Sequence, residues 1–277
     1  MEERAYKHIL LAVEDGVATI TLNRPESLNA FHFGLGAELG QAYARCDEED
    51  EIRAVILTGA GKAFCVGADM GGGEKTFGDV DGARRAAEPE SGAPRLAAWQ
   101  LRKPVVAAIH GHAVGVGLTL ALQCDLRFVA REAKLAFSFV RRGIIPELGS
   151  HSILPRVVGF SRAADLLLSG RTFKGEEAAA LGLASEVMAS EEVVPRARDW
   201  ARDIAKNAAP VSVAIAKRLL WEGVIETPPE TMAKEKQLLA WAGKQPDAAE
   251  GVRSFLERRP PDWKLSASTD LPDWPGA

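Results

Sequence analysis

The chain has 277 residues, of which 47% are hydrophobic and 26% charged, with 26 Gly and 15 Pro. These are the proportions of an ordinary globular protein and they exclude fibrous and disordered classes. Its 34 basic and 38 acidic side chains leave a formal charge of −4, so no basic excess is available to neutralise a nucleic-acid backbone. The length suits one large domain or a main domain with an appendage. Cys46, Cys65 and Cys124 are too few and too scattered for a disulfide framework or a zinc knuckle, and they fit a reducing cytoplasm. Met1-Glu2-Glu3-Arg4 carries acids where a signal peptide carries bases.

In chain order, residues 8–13 and 16–22 read as two β-rich runs joined at Asp15-Gly16, a hairpin signal. Asn23-Arg24-Pro25 ends the second run, and a helix is expected over 34–46. Arg53 to Thr58 reads as a strand, closed by the turn Gly59-Ala60-Gly61. The stretch 70–98 opens on Gly71-Gly72-Gly73 and has no clear period, as expected of a loop with a short helix over a binding site. Pro104 to Cys124 lacks Asp, Glu, Lys and Arg and has the length of a membrane span. Its character changes midway, however. Val105 to Ile109 reads as a buried strand and Leu118 to Leu122 as a buried helix, separated by a tight turn. Strands are expected at 126–130 and 134–138, and Gly143 begins a loop. Ser161 is expected to cap a helix that runs through Leu168. After about 190 the pattern is helical only. Val193, Val194, Ala197, Trp200, Ala201, Ile204 and Ala205 share one face, and further helices are expected at 210–222, 229–243 and 247–257. The Pro-rich tail from Pro260 reads as an extended arm. The sum is an α/β core with a helical end.

Several chemical signatures are absent. Ile56 stands where a phosphate-binding loop needs its first glycine, and Ala63 replaces its Ser or Thr. There is no G-x-S-x-G elbow. His110 and His112 have no Cys, Asp or Glu close by in sequence, so they read as turn and pocket wall rather than as a metal pair. Two turns after apolar strands say more: Lys62 to Asp69, and Gly111 to Gly117. The second runs directly into a helix and leaves unpaired N–H groups at Val116 and Gly117. Brought together, two such turns would supply convergent backbone donors, the geometry that stabilises an oxyanion.

These segments resemble the crotonase, or enoyl-CoA hydratase/isomerase, superfamily. The resemblance is carried by Lys62 to Asp69, Lys103 to Ile109 with Gly111 to Gly117, and Ala121 to Asp125. Leu22-Asn23-Arg24-Pro25 with Leu28-Asn29-Ala30, and Leu168-Ser169-Gly170 with Ala178 to Leu183, follow the family's order, so that residues 8–225 are covered. It implies a spiral of ββα units over 1–206 and a helical oligomerisation region over 207–277 that forms a homotrimer or a dimer of trimers. It also implies an acyl-CoA thioester as ligand, with no metal and no cofactor other than the coenzyme A of the substrate, and no nucleic-acid or membrane partner.

By position, Ala68 and Val116 would give the two N–H groups of the oxyanion hole, with Val116 replacing the middle of three usual glycines. Arg24, Ala63, Gly67, Asp69, Gly115, Thr119 and Phe139 would line the substrate and CoA site. Hydratases of the family use two glutamates, and those positions hold Thr119 and Phe139 here. A carboxylate appears instead at Glu147, within Gly143-Ile144-Ile145-Pro146-Glu147-Leu148-Gly149-Ser150. There the sequence is similar to the peroxisomal type of Δ3,Δ2-enoyl-CoA isomerase, in which a single glutamate moves the proton. The expectation is therefore an isomerase with Glu147 as its sole acid/base. The alternatives are a hydratase or thioester hydrolase using the same residue, or a member that binds acyl-CoA without chemistry. Asp69 is also read as a turn-fixing side chain, His151 as pocket wall or loop support, and Arg141 and Arg142 as surface charges.

Overall fold

The computed structural model describes residues 6–87 and 92–276. Strands β1 (Ile9–Glu14) and β2 (Val17–Leu22) form the expected hairpin. Asp15 and Gly16 both take positive φ, 51° and 75°, as a two-residue turn between twisted strands requires. Helix α1 (Phe33–Glu48) follows, its first turn capped by His32, whose Nδ1 accepts from the Leu35 N–H. Three strand–strand–helix units come next. They are β3 (Ala54–Gly59), β4 (Ala63–Cys65) and α2 (Val80–Ala86); β5 (Val105–Ile109), β6 (His112–Val114) and α3 (Val116–Leu122); and β7 (Leu126–Ala130), β8 (Lys134–Ala136) and the helices α4 (Ser150–Val158) and α5 (Phe160–Ser169).

The first strand of each unit enters a six-stranded sheet of order β1-β2-β3-β5-β7 with β10 (Glu186–Met188) at its edge, and the second enters a four-stranded sheet of order β4-β6-β8 with β9 (Thr172–Lys174) at its edge. The chain therefore winds as a spiral. Strand β9, helix α6 (Gly175–Leu181) and strand β10 complete it. β3 and β5 are buried along their whole length, which is why they read as unbroken apolar runs without alternation. Helix α7 (Ser190–Asn207) lies across β3, β5 and β7 and presses Val193, Ala197 and Ala201 into the core, while Trp200 meets the Phe128 ring edge-on. This is the apolar face expected from the helical spacing.

Helices α8 (Pro210–Gly223), α9 (Pro228–Ala242) and α10 (Pro246–Glu257) follow, each with proline at its start. Val211, Ile215 and Leu238 form a second small core there, joined by Leu265 and Trp274 from the tail. A buried ionic knot ties α8 to the spiral. The Lys217 ammonium meets Asp125 at 2.8 Å and donates to the Ala98 and Lys103 carbonyls, while the Trp221 indole donates to the same carboxylate.

The structure corrects three local expectations. Ser161 does not cap α5; Gly159 does, because its φ of 84° makes the corner between α4 and α5. Residues 150–158 form a helix within what reads as loop. The tail is extended, as expected, but it packs on its own chain. Ala267 is buried, the Arg102 guanidinium donates to its carbonyl, and Ser268 donates to Asp50. The Pro104 to Cys124 segment divides into β5, β6 and α3, and among the described residues no helix is long and apolar enough to cross a membrane.

Candidate active site

The site is built where the small sheet meets the start of α3. β4 and β6 run parallel, with Ala63 beside His112 and Cys65 beside Ala113, so their following turns lie side by side. Both turns rest on glycine. Gly67 has φ 106°, and a Cβ there would come within 3.2 Å of the Val114 carbonyl; Gly115 has φ 54° and packs against the Gly67 backbone. Only glycine enters such conformations at no steric cost.

Hydrogen bonding leaves the Ala68 N–H free on the first turn and those of Val116 and Gly117 free on the second. Around Ala68, the Phe31 N–H donates to Gly67 O (2.7 Å) and the Asp69 N–H donates to Phe31 O (2.8 Å). Around Val116, the Gly115 N–H donates to Ala136 O (2.8 Å), and those of Leu118 and Thr119 donate to Gly115 O. Among the described residues, the N–H groups of Ala68 and Val116 meet no acceptor. Two unsatisfied donors on adjoining turns can hold a developing oxyanion without reorganising.

The neighbouring polar groups brace these turns. Asn29 is fully buried; its Oδ1 accepts from the Arg24 N–H, and its Nδ2 donates to the carbonyls of Ala60 and Ala63. Arg24 donates to Ala30 O and pairs with Asp69 at 2.9 Å, and Asp69 also accepts from the Gly71 N–H. These bonds hold Asp69 well ionised, below the usual carboxylate range. The side chain fixes its turn, as the sequence suggested.

The positions where two glutamates would stand carry no acid. Thr119 is 0% exposed, and its hydroxyl donates to Val116 O at 3.1 Å. Phe139 is 6% exposed and purely apolar. Glu147 is half-buried on the loop before α4. That loop turns sharply at Gly143, Leu148 and Gly149, all with positive φ, and the Gln123 amide at the C-terminal end of α3 donates to Leu148 O at 3.2 Å. The rise from Val116 to Gln123 along one helix is about 10 Å, so a single rigid helix carries the free Val116 N–H at its start and the Glu147 loop at its end. Burial pushes the Glu147 carboxyl above its ordinary value, partly offset by the positive charge of Arg84. Arg84 lies on α2 and also sits 5.9 Å from the Phe33 ring.

Arg84 and Gln123 were not singled out by sequence reasoning. Gln123 shares a helix face with Thr119, a usable signal; Arg84 lies in a stretch without periodicity and carries none. The remaining candidates stand apart from this cluster. His151 is exposed on the first turn of α4. Arg141 and Arg142 are exposed, and Arg141 donates to Ser169 O. His110 contacts Gly61 O and Thr58, while His112 accepts from the Lys134 N–H, so both serve as turn contacts. Burial pushes the Cys65 thiol up to about 11 and those of Cys46 and Cys124 up to about 12, which keeps them protonated and inert.

Comparison with known proteins agrees with this architecture. The chain is 37% identical over 248 residues to an enoyl-CoA hydratase of Alternaria alternata, covering 89% of this chain and 82% of that protein. It is 34% identical over 270 residues to 1,2-epoxyphenylacetyl-CoA isomerase of Escherichia coli, covering 92% and 97%. The crystal structure of a probable enoyl-CoA hydratase/isomerase from Mycobacterium abscessus superposes with a TM-score of 0.85 at 40% identity, covering 92% of this chain and 98% of that one. The enoyl-CoA hydratase/isomerase family model matches residues 12–266. With that span and these relatives, the chain belongs to the enoyl-CoA hydratase/isomerase family, on the crotonase fold.

Proposed function

We propose that this enzyme moves a double bond along an enoyl-CoA, with Glu147 as its only acid/base. In this reading the Ala68 and Val116 N–H groups bind the thioester oxygen. The Glu147 carboxylate removes a proton from C2 of a 3-enoyl-CoA, and the electron pair delocalises over a dienolate whose oxygen lies between the two donors. The carboxylic acid so formed returns the proton to C4, giving the 2-enoyl-CoA and restoring the base. No atom is gained or lost, and no cofactor beyond the CoA of the substrate is needed. A raised carboxyl pKa suits this cycle, because it brings proton removal and return closer in free energy.

Ala63, Gly67 and Gly115 shape the wall beside the thioester, and Thr119 and Phe139 lie beneath it as buried, uncharged side chains. Arg24 supplies positive charge for a CoA phosphate while Asp69 holds its guanidinium in place. The observation that carries the reading is the pairing of a half-buried carboxylate at Glu147 with non-acidic residues at both Thr119 and Phe139. Product analysis after separate incubation with 3-enoyl-CoA and 2-enoyl-CoA tests it. Interconversion of the two without water addition is expected, and efficient formation of a 3-hydroxyacyl-CoA alone would overturn it.

Hydration through Glu147 is the second reading. It is favoured by the enoyl-CoA hydratase names of several relatives, and the same product analysis separates it from isomerisation. For assembly we propose a homotrimer, or a dimer of such trimers, formed through the helices after residue 207. Supporting it, Met232 and Leu239 on α9 and Val252, Phe255 and Leu256 on α10 are exposed, Phe255 at 80%, and so much uncovered apolar surface calls for a partner.

A further inference from the structure

At the edge of the sheet opposite the free N–H groups, a polar cavity of about 140 Å³ lies between the spiral and the returning tail. Its floor comes from Ile52, Arg53 and Lys103, and its roof from the segment Trp263 to Ala267. Two cations line this floor: Arg53, just before β3, and Lys103, just before β5.

Neither cation forms an ion pair, although Asp50 also lines the cavity and attracts both from further off. Arg53 spends one guanidinium nitrogen on Ala208 O, and the Lys103 ammonium donates to Glu49 O. Among the described residues no carboxylate lies within ion-pair distance of either. The acids nearby have other partners: Asp47 with Arg102, Asp50 with Ser268, Asp262 with Lys264, Asp247 with the Lys264 and Leu265 N–H groups, and Glu49 with Arg45 through Oε1, its Oε2 being buried without a partner. Burial lowers the Lys103 ammonium to about 8, against the attraction of Asp47 and Asp50. From the roof, the Trp263 indole N–H is buried and meets no acceptor. A buried donor without a partner is costly, and an acceptor beside the two cations would relieve it.

We propose that this cavity binds a small oxyanion, a carboxylate or a phosphate, which accepts from Arg53 and Lys103 on the core and from Trp263 on the tail. The anion separates the two cations electrically, satisfies the indole, and pins the tail to the spiral. The volume admits an ion of this size.

The test is the thermal midpoint of the full-length protein titrated with inorganic phosphate or with acetate, at ionic strength held constant with chloride. A saturable rise of about 5 °C is expected at a hundredfold excess over the dissociation constant. A response to phosphate alone or to acetate alone assigns the ion within the class. Arg53→Gln should abolish the response. Trp263→Phe removes only the indole donor without disturbing the floor, so it is informative even if the first variant fails to fold, and it should weaken half-saturation about tenfold. No saturable rise in the parent protein, or an unchanged response in Trp263→Phe, would overturn the proposal.

Discussion

Gly117→Ala is the sharpest mechanical probe of the two-turn site. Gly117 is the second residue of α3, and a Cβ there would stand 2.2 Å from Cys65 O and 2.7 Å from the Cys65 side chain. Ordinary contact needs about 3.5 Å, so β4 and α3 must separate by about 1 Å. Phe64 and Cys65 are fully buried, which prevents the strand from simply sliding away. Overpacking of this kind costs about 1–3 kcal/mol, which for a chain of this size lowers the thermal midpoint by roughly 2–10 °C. The functional cost is larger. The same separation moves the Val116 N–H relative to that of Ala68, and a 1 Å misplacement of catalytic groups costs about 10² in rate.

Gly159→Ala is the matched control. Its φ of 84° also penalises alanine, but the added Cβ enters open space at the corner between α4 and α5, away from the free N–H groups. Both variants should lose comparable stability, measured by thermal denaturation. Only Gly117→Ala should lose enoyl-CoA turnover by about two orders of magnitude. Equal losses of turnover in the two variants, or full activity in Gly117→Ala, would refute the argument that the contact between the turns sets the donor geometry.

Two further outcomes are expected. Arg84 opposes the burial effect on Glu147, so Arg84→Met should raise that carboxyl further. Because the base acts when ionised, the acid limb of kcat/KM then moves to higher pH, and an unmoved or lowered limb would show that Arg84 does not act on Glu147. Lys217→Ala leaves the Asp125 carboxylate without its buried cation, at a cost of about 3–5 kcal/mol in urea denaturation; an unchanged midpoint would mean that this knot does not hold α8 to the spiral.

The legible and the illegible parts of the chain differ for physical reasons. Asp15-Gly16 marks its hairpin because the turn itself demands those residues, and α7 is visible because one face must cover β3, β5 and β7. The strands β4, β6, β9 and β10 have three residues each, too few for any period to develop. Helix α4 escapes notice because Gly149 precedes it and Pro155 lies inside it, so its sequence carries the punctuation of a loop. The tail reads as a free arm because its anchors are single distant contacts, such as Arg102 with Ala267 and Trp274 with Glu222. At the site, the glycine turns and Glu147 are visible through the family's motifs. The opposing charge of Arg84 is not, since only the fold brings α2 to that loop.

Glu147→Gln decides the central claim, because it keeps the side chain's size while removing the base. The measurement is the rate at which wild type and variant interconvert 3-enoyl-CoA and 2-enoyl-CoA, with thioester affinity measured alongside. The wild type is expected to catalyse the shift, and the variant to fall by at least about 10²-fold while binding changes little. A wild type that hydrates 2-enoyl-CoA without moving a double bond, or a variant that isomerises at the full rate, would contradict that claim.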